Sequence, residues 1–109
     1  MGIKKGMPNG TARVYINSVL FSETNYNEGV HHGKESRFYK NGRPELVRYF
    51  RNGMLDGLLT AYTEEGVVLH DVIFREGKAI SGYITYGDKR NILTQNELTE
   101  FEEVYYRQY

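Results

Sequence analysis

The sequence predicts a mostly β protein: a single-layer antiparallel meander of repeated β-hairpins, about 24 residues per repeat, closed by a C-terminal capping α-helix. Three observations predict it. Glycine pairs recur as Gly6/Gly10, Gly29/Gly33, Gly53/Gly57 and, with one extra residue, Gly77/Gly82, and their leading members lie 23, 24 and 24 positions apart. Two aromatic columns keep the same register: Tyr15, Phe38 and Tyr62 nine residues after each leading glycine, and Tyr26, Phe50 and Phe74 just before the next. Near the end the period changes, and Thr94-Gln95-Asn96-Glu97 has the form of a helix capping box.

The copies cover about residues 6–28, 29–52, 53–76 and, in part, 77–93, within one domain of residues 1–109. Each copy reads as a hairpin. One strand follows the second glycine, as over 34–40 or 58–63, and a second returns, as over 45–51 or 67–75. Asn17-Ser18, Asn41-Gly42 and Glu65-Gly66 mark the turns between them. Asn41-Gly42 reads as a two-residue hairpin turn, where both positions accept positive φ. The paired glycines are expected to turn the chain into the next copy, the first at positive φ and the second closing the turn. Gly6, Gly10, Gly29, Gly33, Gly42, Gly53, Gly57, Gly66, Gly77 and Gly82 are therefore all read as turn glycines.

Seven or eight strands result. Neither face of a strand is purely apolar. Counting by two from Phe74 gives Val72, His70 and Val68, against Ile73, Asp71 and Leu69; from Phe50 come Arg48 and Leu46, against Tyr49 and Val47. That mixture suits a thin sheet whose aromatic columns stack along the repeat axis. In the last copy 83–86 reads as a strand, Gly87-Asp88 as a turn and 90–93 as a short strand. Leu98, Phe101, Val104 and Tyr105 then follow at helical spacing, which predicts a helix over about 95–106. The N-terminal end shows no such cap, which points to a cut from a longer array or to a first strand that self-associates with another chain.

Composition narrows the function. Lys plus Arg and Asp plus Glu number 14 each, so the formal net charge is zero. A nucleic-acid binder would carry a basic excess, so no nucleic acid is expected. There are 10 tyrosines and no cysteine. Disulfides and cysteine-ligated metals are excluded, and a cytoplasmic location fits. No run approaches the roughly 18 apolar residues of a membrane span, and the start lacks the apolar stretch of a signal peptide.

Phe38-Tyr39-Lys40-Asn41-Gly42, followed by Asn52-Gly53-Met54-Leu55-Asp56-Gly57, resembles the MORN-variant repeat of bacterial antitoxin-like proteins. Tyr62-Thr63-Glu64-Glu65-Gly66 is similar, with Glu in place of Asn. The resemblance extends over about residues 6–87 and leaves the C-terminal helix outside. The first copy departs most, having Tyr15 but no Asn-Gly turn. The resemblance implies an elongated hairpin array used as a binding scaffold, which neutralises a toxin in some relatives and contacts proteins or lipid head groups in others. It brings no catalytic residues.

The remaining motifs read as structure. Gly29 to Gly33 followed by Lys34-Glu35-Ser36 looks like a phosphate loop, but it is one residue short and Glu35 stands where Ser or Thr must follow the lysine. Gly53/Gly57 as a membrane helix-pairing motif lacks the apolar helix it needs. His31, His32 and His70 bring no carboxylate cluster, so no metal and no cofactor are expected. No nucleophile elbow occurs, and an enzyme is not expected. For partner binding the sequence singles out Arg37, Tyr39, Arg48, Tyr49 and Arg51, because Tyr and Arg dominate binding hot spots. Alternation places Tyr49 and Arg51 on one face and Arg48 on the other. The resulting expectation is a non-enzymatic protein-binding module, acting by covering a partner surface. A peripheral lipid-binding module and a segment of a longer array are the alternatives.

Overall fold

The computed structural model describes residues 2–4, 7–86 and 88–106, and side chains over 9–85 and 88–104. The strands are β1 (Gly2–Lys4), β2 (Met7–Ile16), β3 (Val19–Asn27), β4 (Val30–Phe38), β5 (Pro44–Arg51), β6 (Met54–Leu55), β7 (Gly57–Tyr62), β8 (Val68–Arg75), β9 (Lys78–Tyr86) and β10 (Lys89–Ile92), followed by helix α1 (Gln95–Tyr106). They form one open antiparallel sheet in chain order, with β6 pairing β5 just ahead of β7. Nine strands thus lie along the described meander, more than the seven or eight expected, and the molecule measures 46 × 32 × 17 Å.

Two kinds of turn build the meander. Asn17-Ser18, Glu28-Gly29, Asn52-Gly53 and Glu76-Gly77 each have both residues at positive φ. That is the two-residue type I′ geometry, whose twist matches the flanking strands. The loops at 39–43 and 63–67 differ. In the first, the Gly42 N–H donates to the Tyr39 carbonyl (3.0 Å) and the Tyr39 N–H to the Arg43 carbonyl (2.9 Å); in the second, Gly66 and Thr63 do the same with Thr63 and Val67. Only the glycine of each has positive φ. These are three-residue loops ending in a left-handed glycine, so Asn41-Gly42 is not the two-residue turn that its composition suggests. The extra residue also explains why the first copy, with Asn17-Ser18, is one residue shorter.

The second glycine of each pair is not a turn residue. Gly10 and Gly33 lie inside β2 and β4 and Gly57 opens β7, all at positive φ, and each pairs across the sheet with an aromatic: Gly10 with Tyr26, Gly33 with Phe50, Gly57 with Phe74. At positive φ these positions favour glycine, and at Gly57 an added Cβ would also meet the Tyr49 Cβ at 3.4 Å. On their other side the same aromatics pair with His31, Leu55 and Ala79. The column therefore continues ring to ring, with Tyr26–His31 and His31–Phe50 centroids both 4.9 Å apart. Gly82 departs from the expected turn altogether. It lies in β9, pairs with Val72, and has no positive φ. A Cβ there would meet the Asp71 carbonyl oxygen at 2.6 Å and the Val72 Cα at 2.9 Å, so close backbone approach requires glycine. Gly6 and Gly87 lie outside the described residues.

The core occupies one face of the C-terminal two thirds. Leu46, Phe50, Leu55, Leu59, Ala61, Val72, Phe74, Ala79, Leu93 and Leu98 form one buried cluster. Helix α1 closes it, starting as the capping box predicts: the Thr94 N–H donates to Glu97 Oε1 (2.9 Å) and the Glu97 N–H to Thr94 Oγ1 (3.2 Å). It packs on β9, with Phe101 against the His70 ring (4.7 Å) and Glu102 Oε1 accepting the Ala79 N–H (2.7 Å). Val104, expected in the buried stripe, is exposed; the side chain of Tyr105 lies outside the described residues.

Candidate interaction face

Strand alternation and register sort the side chains into two faces. On the core face Thr24, Glu35 and Arg48 lie in one row across β3, β4 and β5, and Leu59, Val72 and Gly82 align across β7, β8 and β9. On the opposite face a row runs through Arg13, Glu23, Ser36, Val47, Thr60, Asp71, Tyr83 and Ile92, each paired with the next from β2 to β10. Helix α1 packs over the C-terminal end of the first face, on β9 and His70, and leaves the second open.

The open face carries large apolar groups. Tyr49 is 40% exposed, Leu58 46% and Ile73 47%, and Leu58 pairs directly with Ile73. Its charges are largely neutralised in place. Arg13 pairs with Glu23 (2.7 Å), Arg51 approaches Asp56 (3.4 Å), and Arg90 grips both Asp71 oxygens (3.0 and 2.8 Å) while lying 4.6 Å over the Tyr83 ring.

A groove crosses the strands on this face. Its floor is Ser36, Val47 and Thr60, successive members of the row above. Phe38, Pro44 and Tyr62 line one side; Lys34, Tyr49 and Leu58 line the other, and the open groove has a volume of about 430 Å³. Ser36 and Thr60 are buried although no other layer covers them. Small side chains between large ones produce both facts.

The five residues singled out from sequence do not form one patch. Tyr49 and Arg51 share the open face, as alternation requires. Arg48 is on the other face, fully buried, with its Nε 2.5 Å from Glu35 Oε1 and its guanidinium 5.4 Å from the Phe50 ring. It is a core residue, because Glu35 across the strand pair supplies the counter-charge a buried guanidinium needs. Arg37 pairs with Leu46, on Arg48's face. Tyr39 stands in its loop, where its hydroxyl donates to the Tyr62 carbonyl (2.6 Å). Lost hydration, then the Glu45, Glu64 and Glu65 carboxylates, hold that phenol above its ordinary range. The same loop is tied to the next by Asn41 Nδ2 donating to the Glu64 carbonyl (3.0 Å).

The two shifted histidines belong to the core face. Burial lowers His31, with Arg48 adding to the effect and Glu35 opposing it. Burial lowers His70, with Asp71 opposing. Among the described residues no three His, Asp or Glu side chains converge as metal ligands, and no helix is long and apolar enough to cross a membrane.

Sequence reasoning missed Lys34, Ser36, Leu58 and Thr60. The signal was present: Ser36 and Thr60, Lys34 and Leu58, and Phe38 and Tyr62 are equivalent positions one repeat apart. Comparison with family models, curated proteins and solved structures returns no match for this chain.

Proposed function

We propose that the protein is a non-enzymatic binding module whose open sheet face covers a surface of a protein partner, in the manner of an antitoxin or immunity protein. The observation that carries this reading is the asymmetry of the sheet. One face carries the buried core, closed at its C-terminal end by the helix, while the other presents Tyr49, Leu58 and Ile73 side by side without cover. A face of 46 × 32 Å is broad enough for the roughly 800 Å² per partner of a standard interface. Exposed apolar side chains ringed by neutralised ion pairs give the apolar centre and polar rim of such a surface. The resemblance of the repeat to the MORN-variant family supports a scaffold role over a catalytic one.

A photo-crosslinking residue tests this at Ile73 on the open face and at Glu100 on the helix. Irradiation in the source cells is expected to give a discrete protein adduct from position 73 and none from position 100. Identical background at both positions defeats the reading.

A further inference from the structure

We infer that the groove over Ser36, Val47 and Thr60 is a recognition slot for a short peptide segment of the partner, one carrying a large apolar side chain beside an acidic one. This rests on the protein-binding reading above and specifies its chemistry.

The slot's dimensions come first. It spans β3, β4, β5 and β7, three inter-strand steps, or about 14 Å at the usual strand spacing. About four extended residues cover that length. Its floor is central strands already paired on both sides, so a peptide cannot add to the sheet and must bind through its side chains. Phe38, Tyr49, Tyr62 and Leu58 line the slot and offer apolar contact, while Ser36 and Thr60 bring hydroxyl-bearing side chains to its floor. An apolar side chain with its flanking amides fits that mixture.

Charge specifies the second feature. Lys34 pairs in register with Tyr49 and lines the same wall. Arg13, Arg51 and Arg90 each meet a carboxylate, whereas Lys34 forms no ion pair among the described residues. Glu23 is the one carboxylate lining the slot, and Arg13 holds it. The slot therefore presents a single unspent positive charge next to its aromatic wall. One acidic side chain complements it. An anionic membrane or a nucleic acid would require several unpaired cations clustered together, and Lys34 is the one cation lining the slot.

The test pans a phage-displayed random peptide library against the immobilised full chain. Recovered sequences are expected to place Asp or Glu within a few positions of an aromatic or large aliphatic residue. Fluorescein-labelled copies of those peptides are then titrated against variants whose folding is checked by circular dichroism. Leu58→Glu should weaken binding by about tenfold or more, as for a hot-spot position. Lys34→Glu should weaken it by about fivefold or more and Lys34→Arg should largely restore it, since a charge is being read. Glu100→Lys, exposed on α1 and away from the open face, should leave the affinity unchanged. Failure to enrich any peptide, enrichment of basic peptides, or insensitivity to either Leu58→Glu or Lys34→Glu overturns the slot. So does flotation of the chain with phosphatidylserine vesicles that Lys34→Glu abolishes. If the adduct from position 73 persists while the slot fails these tests, the partner uses the face without the groove, and only this inference falls.

Discussion

The two aromatic columns share one repeat and do opposite work. Tyr26, Phe50 and Phe74 sit opposite glycines on the core face, and Phe50 and Phe74 are buried. Tyr15, Phe38 and Tyr62 never form such a stack: Phe38 and Tyr62 line the open groove, and Tyr15 is 59% exposed. Both columns have a period set by the same hairpin. What separates them is which face a residue occupies and what lies across from it. Phe50 and Phe74 are covered by the core cluster they belong to; a ring at the loop end of a strand on the open side has no such cover. The lesson is that in a thin repeat sheet an aromatic column marks register, while its neighbours decide between core and contact surface.

The strongest way to break this comparison is inside the core row. Phe74→Ala should cost about 3–5 kcal/mol, whereas Tyr62→Ala should cost less than about 1.5 kcal/mol, both read from urea unfolding. Equal losses would show that the columns are not functionally divided. The buried pair sharpens the same row. Glu35→Ala strands the Arg48 guanidinium and should cost about 3–5 kcal/mol, while Glu35→Leu combined with Arg48→Met should recover most of it. If the double variant is as unstable as the single one, the pair does more than neutralise itself.

Next come the glycines. Gly57→Ala must place a Cβ residue at a φ of 112° within 3.4 Å of the Tyr49 Cβ, and should cost about 1–3 kcal/mol. Gly82→Ala should cost a similar about 1–3 kcal/mol through crowding against β8, since no strained φ is involved. Replacing Gly57 by Asn, which tolerates left-handed φ, should be milder than Ala, whereas Gly82→Asn should be worse than Gly82→Ala. Identical rankings at the two sites would mean that one physical cause had been assigned twice.

The smallest effect is a pH dependence. His70, on the core face, is held below its ordinary value chiefly by burial, so the fold favours its neutral form. Its contribution is complete above the unfolded value of about 6.5 and is lost as pH falls through the lower folded value. The urea midpoint should therefore drop between about pH 7.5 and about pH 5, and His70→Leu should flatten part of that drop, leaving the share due to His31, which shifts in the same direction. An unchanged slope in His70→Leu would remove His70 from the account.

How much was legible in advance varies by element for physical reasons. Helix α1 was readable because its start is local: Thr94 and Glu97 satisfy each other's backbone within one turn, and no distant residue is needed. The position of the turns was readable from glycine and asparagine, but their type was not. Whether Asn41 takes positive φ depends on whether the loop has two or three residues, and that follows from the pairing of Tyr39 with Arg43. Arg48 was readable as facing away from Tyr49 and unreadable as buried, because Glu35 reaches it only once β4 and β5 are in register.

The amino-acid sequence by itself determined the period, the hairpin meander, the capped helix and the alternation of faces, since all of these arise from steric and hydrogen-bonding preferences acting within a few residues. The tertiary structure alone decided which face carries the core, which glycines turn the chain and which pair within strands, and where small residues between large ones leave a groove. Those outcomes depend on cross-strand neighbours such as Glu35 and Arg48, 13 residues apart, or Gly57 and Phe74, 17 apart, and no local preference encodes which of them will meet.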